Sequence, residues 1–227
     1  YNNLGSVYNA IGDADKALHY HFKALSAWKT TLGNEHDRVA ASYANISNVY
    51  RNLKNYDAAL DYLFLRLNII KSTFGETHTI TAAVYNNIGT IYLANSELDN
   101  ALDYMLKALD IYKVVFGEDS NRIYLIYNNV GWVYYAKSEY TLALQYMQKA
   151  LMMHKAEYGE DSEENIDIYC GISSVYEKIG DYDNALNNLR LALDICENVL
   201  GVEHSKTIEV KSDIEEIQQL MLKANDK

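Results

Sequence analysis

The chain has 227 residues, 12% of them aromatic, and carries 31 acidic against 20 basic side chains for a formal charge of −11. That balance, with the basic residues scattered, argues against nucleic-acid and anionic-membrane binding, both of which need a basic footprint. No apolar run approaches the ~18 residues of a membrane span, and the two cysteines, Cys170 and Cys196, form no metal or redox pattern, which fits a reducing, cytoplasmic setting.

The first element opens with YNNLGSVY at Tyr1. The spelling returns as YANISNVY at Tyr43, YNNIGTIY at Tyr85, YNNVGWVY at Tyr127 and YCGISSVY at Tyr169, each 42 residues after the last. A period of this length marks a repeat architecture. Within it, Tyr85, Ile88, Gly89 and Tyr92 fall at i, i+3, i+4 and i+7 and predict one face of a first helix. A polar turn follows, GDADKA, NSELDN or GDYDNA, whose Asp and Asn residues suit the start of a second helix. The second helix carries Ala17, Ala59, Ala101, Ala143 or Ala185, each followed by leucine. It stops at Gly33, Gly75, Gly117, Gly159 or Gly201, a normal C-terminal signal. Each unit reads as a helical hairpin.

Gly5, Gly89 and Gly131 fall in mid-helix, where glycine costs ~1 kcal/mol relative to alanine. Ser47 and Ser173 hold the same slot, so the expected reason is a close approach of the two helices of a hairpin, with the alanine series facing it. After Gly201 the stripe Ile208, Ile214, Ile217 and Met221 predicts one more helix. Lys211 and Glu215 interrupt the template there, as expected of a polar-faced cap. Because the pattern is already under way at Tyr1, an upstream repeat or further domain of the same chain is expected.

Aromatic-x-x-Leu-Gly-x-x-Tyr on the first helix, then Ala-Leu on the second, resembles the tetratricopeptide repeat (TPR), whose usual period is 34 residues. The longer repeat, with G-x-x-H in its loop and paired asparagines in its first helix, is similar to the repeats of kinesin light chains. The resemblance implies an all-α fold: a right-handed α-solenoid, or superhelix, of TPR hairpins. Five hairpins would occupy residues 1–204, the first truncated at its N-terminus, and a capping helix 205–227. The family's proline after the loop histidine is replaced here by Asp37, Thr79, Asn121, Glu163 and Ser205.

In such a superhelix the first helices line the concave side. On a wheel of 100° per residue, the packing positions leave an arc of roughly 100–200°. Ala83, Asn86, Asn87, Thr90 and Ala94 fill it. Transferred by the period, this candidate groove also holds Asn2, Asn3, Ser6, Asn45, Asn48, Asn52, Asn128, Asn129, Trp132 and Ser174. An asparagine side chain offers two donors and a carbonyl acceptor, so it matches a peptide backbone irrespective of sequence. The resemblance implies that role for Asn3, Asn45, Asn87 and Asn129; the alternative is bonding within the stack. The ladder lapses at Gly171. Trp132 stands where the other repeats have Ser6, Asn48, Thr90 and Ser174, and with Tyr135 it is a candidate aromatic anchor or a gap filler. Arg51 at the groove edge is a candidate partner for a ligand carboxylate.

His36, His78 and His204 share one loop position. Stacked repeats lie about 10 Å apart while zinc–nitrogen bonds are ~2 Å, so these histidines share no metal and belong to the loop or helix start. No catalytic constellation is present. The expectation is a non-enzymatic protein-interaction scaffold without cofactor or metal, which binds a peptide or partner domain that is neutral to basic overall. The alternative is a sensor arm that controls an effector domain elsewhere in a longer protein.

Overall fold

The computed structural model describes residues 1–118, 120 and 123–225. Among them no strand occurs, and eleven α-helices follow one another. They are α1 (Asn2–Ala10), α2 (Ala14–Leu32), α3 (Asp37–Asn52), α4 (Tyr56–Phe74), α5 (Thr79–Ala94), α6 (Leu98–Phe116), α7 (Tyr124–Ala136), α8 (Tyr140–Tyr158), α9 (Glu164–Ile179), α10 (Tyr182–Ile195) and α11 (Ser205–Asn225). A π turn, Cys196–Leu200, carries α10 to Gly201. The chain divides into two compact units, Tyr1–Val115 and Phe116–Lys227.

Odd-numbered helices pair with the even-numbered helices that follow, through contacts set by the repeat. An added Cβ on Gly5 would sit 2.6 Å from His21, on Gly89 2.6 Å from Met105 Cγ, and on Gly131 2.6 Å from Met147 Cγ. The helices of these hairpins therefore touch backbone to side chain. Where serine replaces glycine, its hydroxyl donates across the same gap: Ser47 to the Ala59 carbonyl at 2.8 Å, Ser173 to the Ala185 carbonyl at 3.0 Å. The alanine series faces the slot, as the sequence predicts.

The template tyrosines clasp a further tyrosine from the second helix. Tyr20 stacks on Tyr8, Tyr62 on Tyr50 and Tyr104 on Tyr92, with ring centroids 5.5–5.6 Å apart, and Tyr146 meets Tyr134 at 5.2 Å. Offset contacts of this kind add about 0.5–1.5 kcal/mol beyond area burial. In the first unit the core runs through Val39, Ile46, Leu63, Leu67, Val84 and Ile88; in the second it includes Ile166, Leu189, Val210 and Ile217.

Caps define the helix ends. Asp13, Asn55 and Asp181 accept from the backbone N–H three residues on. His36, His78 and His204 accept through Nδ1 from the N–H of Arg38, Ile80 and Lys206 at 3.1–3.2 Å. The histidine column thus starts helices. Asn121, in the position after that column, lies outside the described residues. The last helix departs from its predicted stripe. Val210 and Ile217 are buried with Ile214 and Met221 against them, whereas Ile208 is exposed. Positions 210, 214, 217 and 221 keep one helical face, and 208 falls off it.

Candidate functional site

The residues marked by the sequence lie on first helices, and each unit is described by itself. In the first unit the paired asparagines divide. Asn2 lies inside its hairpin, with Oδ1 3.1 Å from His21 Nδ1. Asn86 is only 9% exposed and already engaged; it shares a buried stripe with Ala82 and Gly89, at i−4 and i+3. The second asparagine of each pair points elsewhere. Asn3 and Asn87 are exposed and Asn45 is half-buried. The expectation that Asn86 and Asn87 share the open arc is corrected accordingly, because 100° of rotation between neighbours carries the first amide into the stack.

Asn48 and Asn87 line one narrow cleft between α3 and α5 with Arg51 and Thr90. Asn48, Arg51 and the Asn87 amide have no side-chain hydrogen bond among the described residues, whereas the half-buried Thr90 hydroxyl donates to the Asn87 carbonyl at 2.8 Å. The floor of the cleft is Leu63 and Arg66 of α4. Arg66 was absent from the sequence-derived site. Its signal is a column: Ala24, Ala108, Ala150 and Ala192 occupy the equivalent positions and are all buried. Arg66 Nε is buried without a hydrogen-bond partner among the described residues, and burial pushes its guanidinium below the ordinary arginine range.

In the second unit Asn129 is half-buried and already engaged, and Asn128 is half-buried with an Oδ1 cut off from solvent and unpartnered among the described residues. Trp132 is half-buried. Its ring meets Tyr135 edge-on, with centroids 5.4 Å apart, and its Cζ2 lies against Gly171, where an added Cβ would come within 3.1 Å. Burial raises the Tyr135 phenol above its ordinary value. Beyond Gly171, Ser174, Glu177, Asp213 and Glu216 line a second, acidic cleft between α9 and α11.

The repeat model described as "Tetratricopeptide repeat" matches residues 1–63, 67–113, 80–156 and 122–198. The chain belongs to the tetratricopeptide repeat family. TPR arrays are protein-interaction scaffolds, and that coarse function applies here. The crystal structure of BtubC (BKLC) from P. vanneervenii is similar, with a TM-score of 0.74 at 23% identity over 89% of this chain and 80% of that one. So are two crystal forms of a Podosopora anserina chain of nearly identical TPR-like repeats, named for the kinesin light chain. Their TM-scores are 0.72 and 0.70, each at 15% identity, over 88% and 87% of this chain and 94% and 93% of those. At such identities the likeness is one of fold. No curated protein matches the chain.

The TPR frame accounts for much that looks chemical. The Asn45–Ser47 sequon is closed by packing, since Ser47 is buried and bonded to Ala59. Burial pushes the Cys170 thiol up to about 12, which leaves it a poor nucleophile near neutral pH. Among the described residues no cluster of three His, Cys, Asp or Glu suits a metal ion. No described helix is long and apolar enough to cross a membrane.

Proposed function

We propose that this TPR scaffold holds an extended segment of a partner protein along its first-helix face. The carrying observation is that Asn48 and Asn87 present side-chain amides to one cleft, neither of them bonded within the described chain. A free carboxamide in such a place matches the N–H and C=O of an extended peptide. Asn3 and Asn45 extend the row in the first unit. In the second unit Asn129 continues the series, and Trp132 with Tyr135 offers an apolar ring pair of the kind that anchors peptides. Charge supports a partner neutral to basic overall: Phe116–Lys227 carries 20 acidic and 10 basic residues, and the acidic cleft lies there.

The test is selection from a random peptide library on the intact chain. Peptides retained by the wild type are expected to be lost by an Asn48→Ala, Asn87→Ala variant whose helical circular dichroism is unchanged. Retention that ignores both substitutions overturns the reading.

A further inference from the structure

We propose that Arg66 and Arg51 form an anionic subsite that takes the side-chain carboxylate of one acidic residue in the bound segment. This rests on the peptide-holding face described above and names a contact within it.

Arg66 is the departure that asks for a reason. In four other repeats the position is a buried alanine, which packs at no electrostatic cost. In the second repeat it is a guanidinium whose Nε is buried and without a partner among the described residues. A buried donor left unmade costs about 1–3 kcal/mol, more when it is charged. Arginine stems often lie along apolar surface with the head in water, but here the cleft draws the head inward, towards Asn48, Asn87 and Thr90.

Arg51 enters the same cleft from α3 and also has no ion-pair partner among the described residues. Two like charges facing one cavity repel, and nothing on that face offsets them. α1 and α5 contain no carboxylate, and α3 contains one, Asp37, in its first turn. The chain's −11 is not spread evenly either. Tyr1–Val115 holds 10 basic and 11 acidic residues, so nearly all the excess belongs to the other unit. The field over the α3–α5 cleft is therefore set by its own two arginines.

Size and donor chemistry then select the guest. The cleft encloses ≈ 40 Å³, and a single water needs about 10–15 Å³ on the same measure. There is room for about three heavy atoms, the size of one carboxylate. Guanidinium groups bind carboxylates in a fork with two parallel hydrogen bonds. Asn48 and Asn87 stand beside them and keep their donors for the backbone that carries the acid. Because the asparagine row extends beyond the cleft to Asn45 and Asn3, the segment passes through, and the carboxylate belongs to a side chain rather than a chain terminus.

The experiment uses the full chain with isotope-labelled arginine, read by NMR through the Arg66 Nε–H signal. N-acetylglutamate N-methylamide is expected to shift that signal saturably. The glutamine analogue, N-acetylalanine (a terminal carboxylate) and inorganic phosphate are expected to leave it in place. In the Arg66→Met variant the same titration is expected to lose its effect on the Asn48 and Asn87 side-chain amides. Peptides selected by the wild type are expected to share an Asp or Glu at one position and to bind Arg66→Met about 10- to 100-fold more weakly. Peptides that need Asn48 and Asn87 but share no acid, and bind Arg66→Met as well as wild type, overturn this inference and leave the peptide-holding face standing. A response to phosphate or N-acetylalanine but not to the glutamate probe also overturns it. If no peptide depends on Asn48 and Asn87, the face itself fails, and the glutamate titration still decides the arginines.

Discussion

Trp132 packs its indole edge on Gly171, where an added Cβ would lie 3.1 Å from Cζ2 and 3.4 Å from Met147 Sδ. The largest side chain of the first-helix face thus sits opposite the one repeat that has no asparagine rung. Trp132 fills the space the missing side chain leaves, while its half-exposed remainder and Tyr135 stay available to a partner. Two substitutions separate these roles. Trp132→Ser, which restores the template's small polar residue, is expected to lower stability by about 1–3 kcal/mol, because an aromatic packed on Gly171 and Tyr135 is removed. Gly171→Ala gains helix propensity but pushes the indole outward. Its stability is expected to stay within about 1 kcal/mol of wild type, while Trp132 fluorescence shifts to the red. Unchanged emission would mean that the ring does not rest on Gly171.

The hairpin slot shows a second compensation. Gly89 faces Met105 and Gly131 faces Met147, whereas Ser47 shares a cleft with Leu63 and Ser173 with Leu189. A straight methionine reaches under a bare glycine; a leucine leaves room for a serine hydroxyl to reach the facing alanine carbonyl. Gly89→Ser alone is expected to cost about 1–3 kcal/mol by overpacking on Met105. Met105→Leu alone is expected to cost less than about 1.5 kcal/mol. The double variant rebuilds the Ser–Leu pair and should recover about 1 kcal/mol or more relative to the sum, a coupling measurable by urea denaturation. Strict additivity would mean that the slot does not set the pairing.

The repeat, the hairpin, the glycine slot and the histidine start signals were legible because a 42-residue period shows each position five times over. The split of the asparagine pair was less so. Asn86 and Asn87 are equally polar, and only the width of the neighbouring stripe decides that one is buried. Arg66 was legible in principle. It breaks the column of Ala24, Ala108, Ala150 and Ala192, but attention confined to first helices misses a second-helix side chain that reaches the same cleft. Net charge misled for a related reason: a total of −11 does not describe the α3–α5 face.

His21 adds a pH dependence. It is buried 1% exposed beside Gly5 and hydrogen-bonded to Asn2. Burial holds its pKa below the ordinary histidine value. The folded state then binds fewer protons than the unfolded one as pH falls, so the neutral ring's contribution is complete above the unfolded value of about 6.5 and is lost below it. Stability from chemical denaturation should decline between about pH 6.5 and 5, where free carboxylates are still ionised. His21→Met, which copies Met105 and Met147, should flatten that part of the profile. A profile identical to wild type would assign the decline elsewhere.

Arg66 gives the last prediction. A guanidinium placed for a guest is a liability while the cleft is empty, because its desolvation is not offset. Arg66→Met keeps a stem of similar length to pack against Leu63 and removes the charge. It is expected to raise unfolding free energy by about 1–2 kcal/mol with an unchanged urea m-value. Arg66→Ala restores the column residue but loses the stem, so its gain should be smaller. The order expected is Met above Ala, with both at or above wild type, and it reverses in the presence of a saturating acidic peptide, which stabilises only the chain that binds it. If Arg66→Met instead lowers stability by more than about 0.5 kcal/mol without ligand, the guanidinium has a partner inside the fold, and the cleft is a structural contact rather than a site held open.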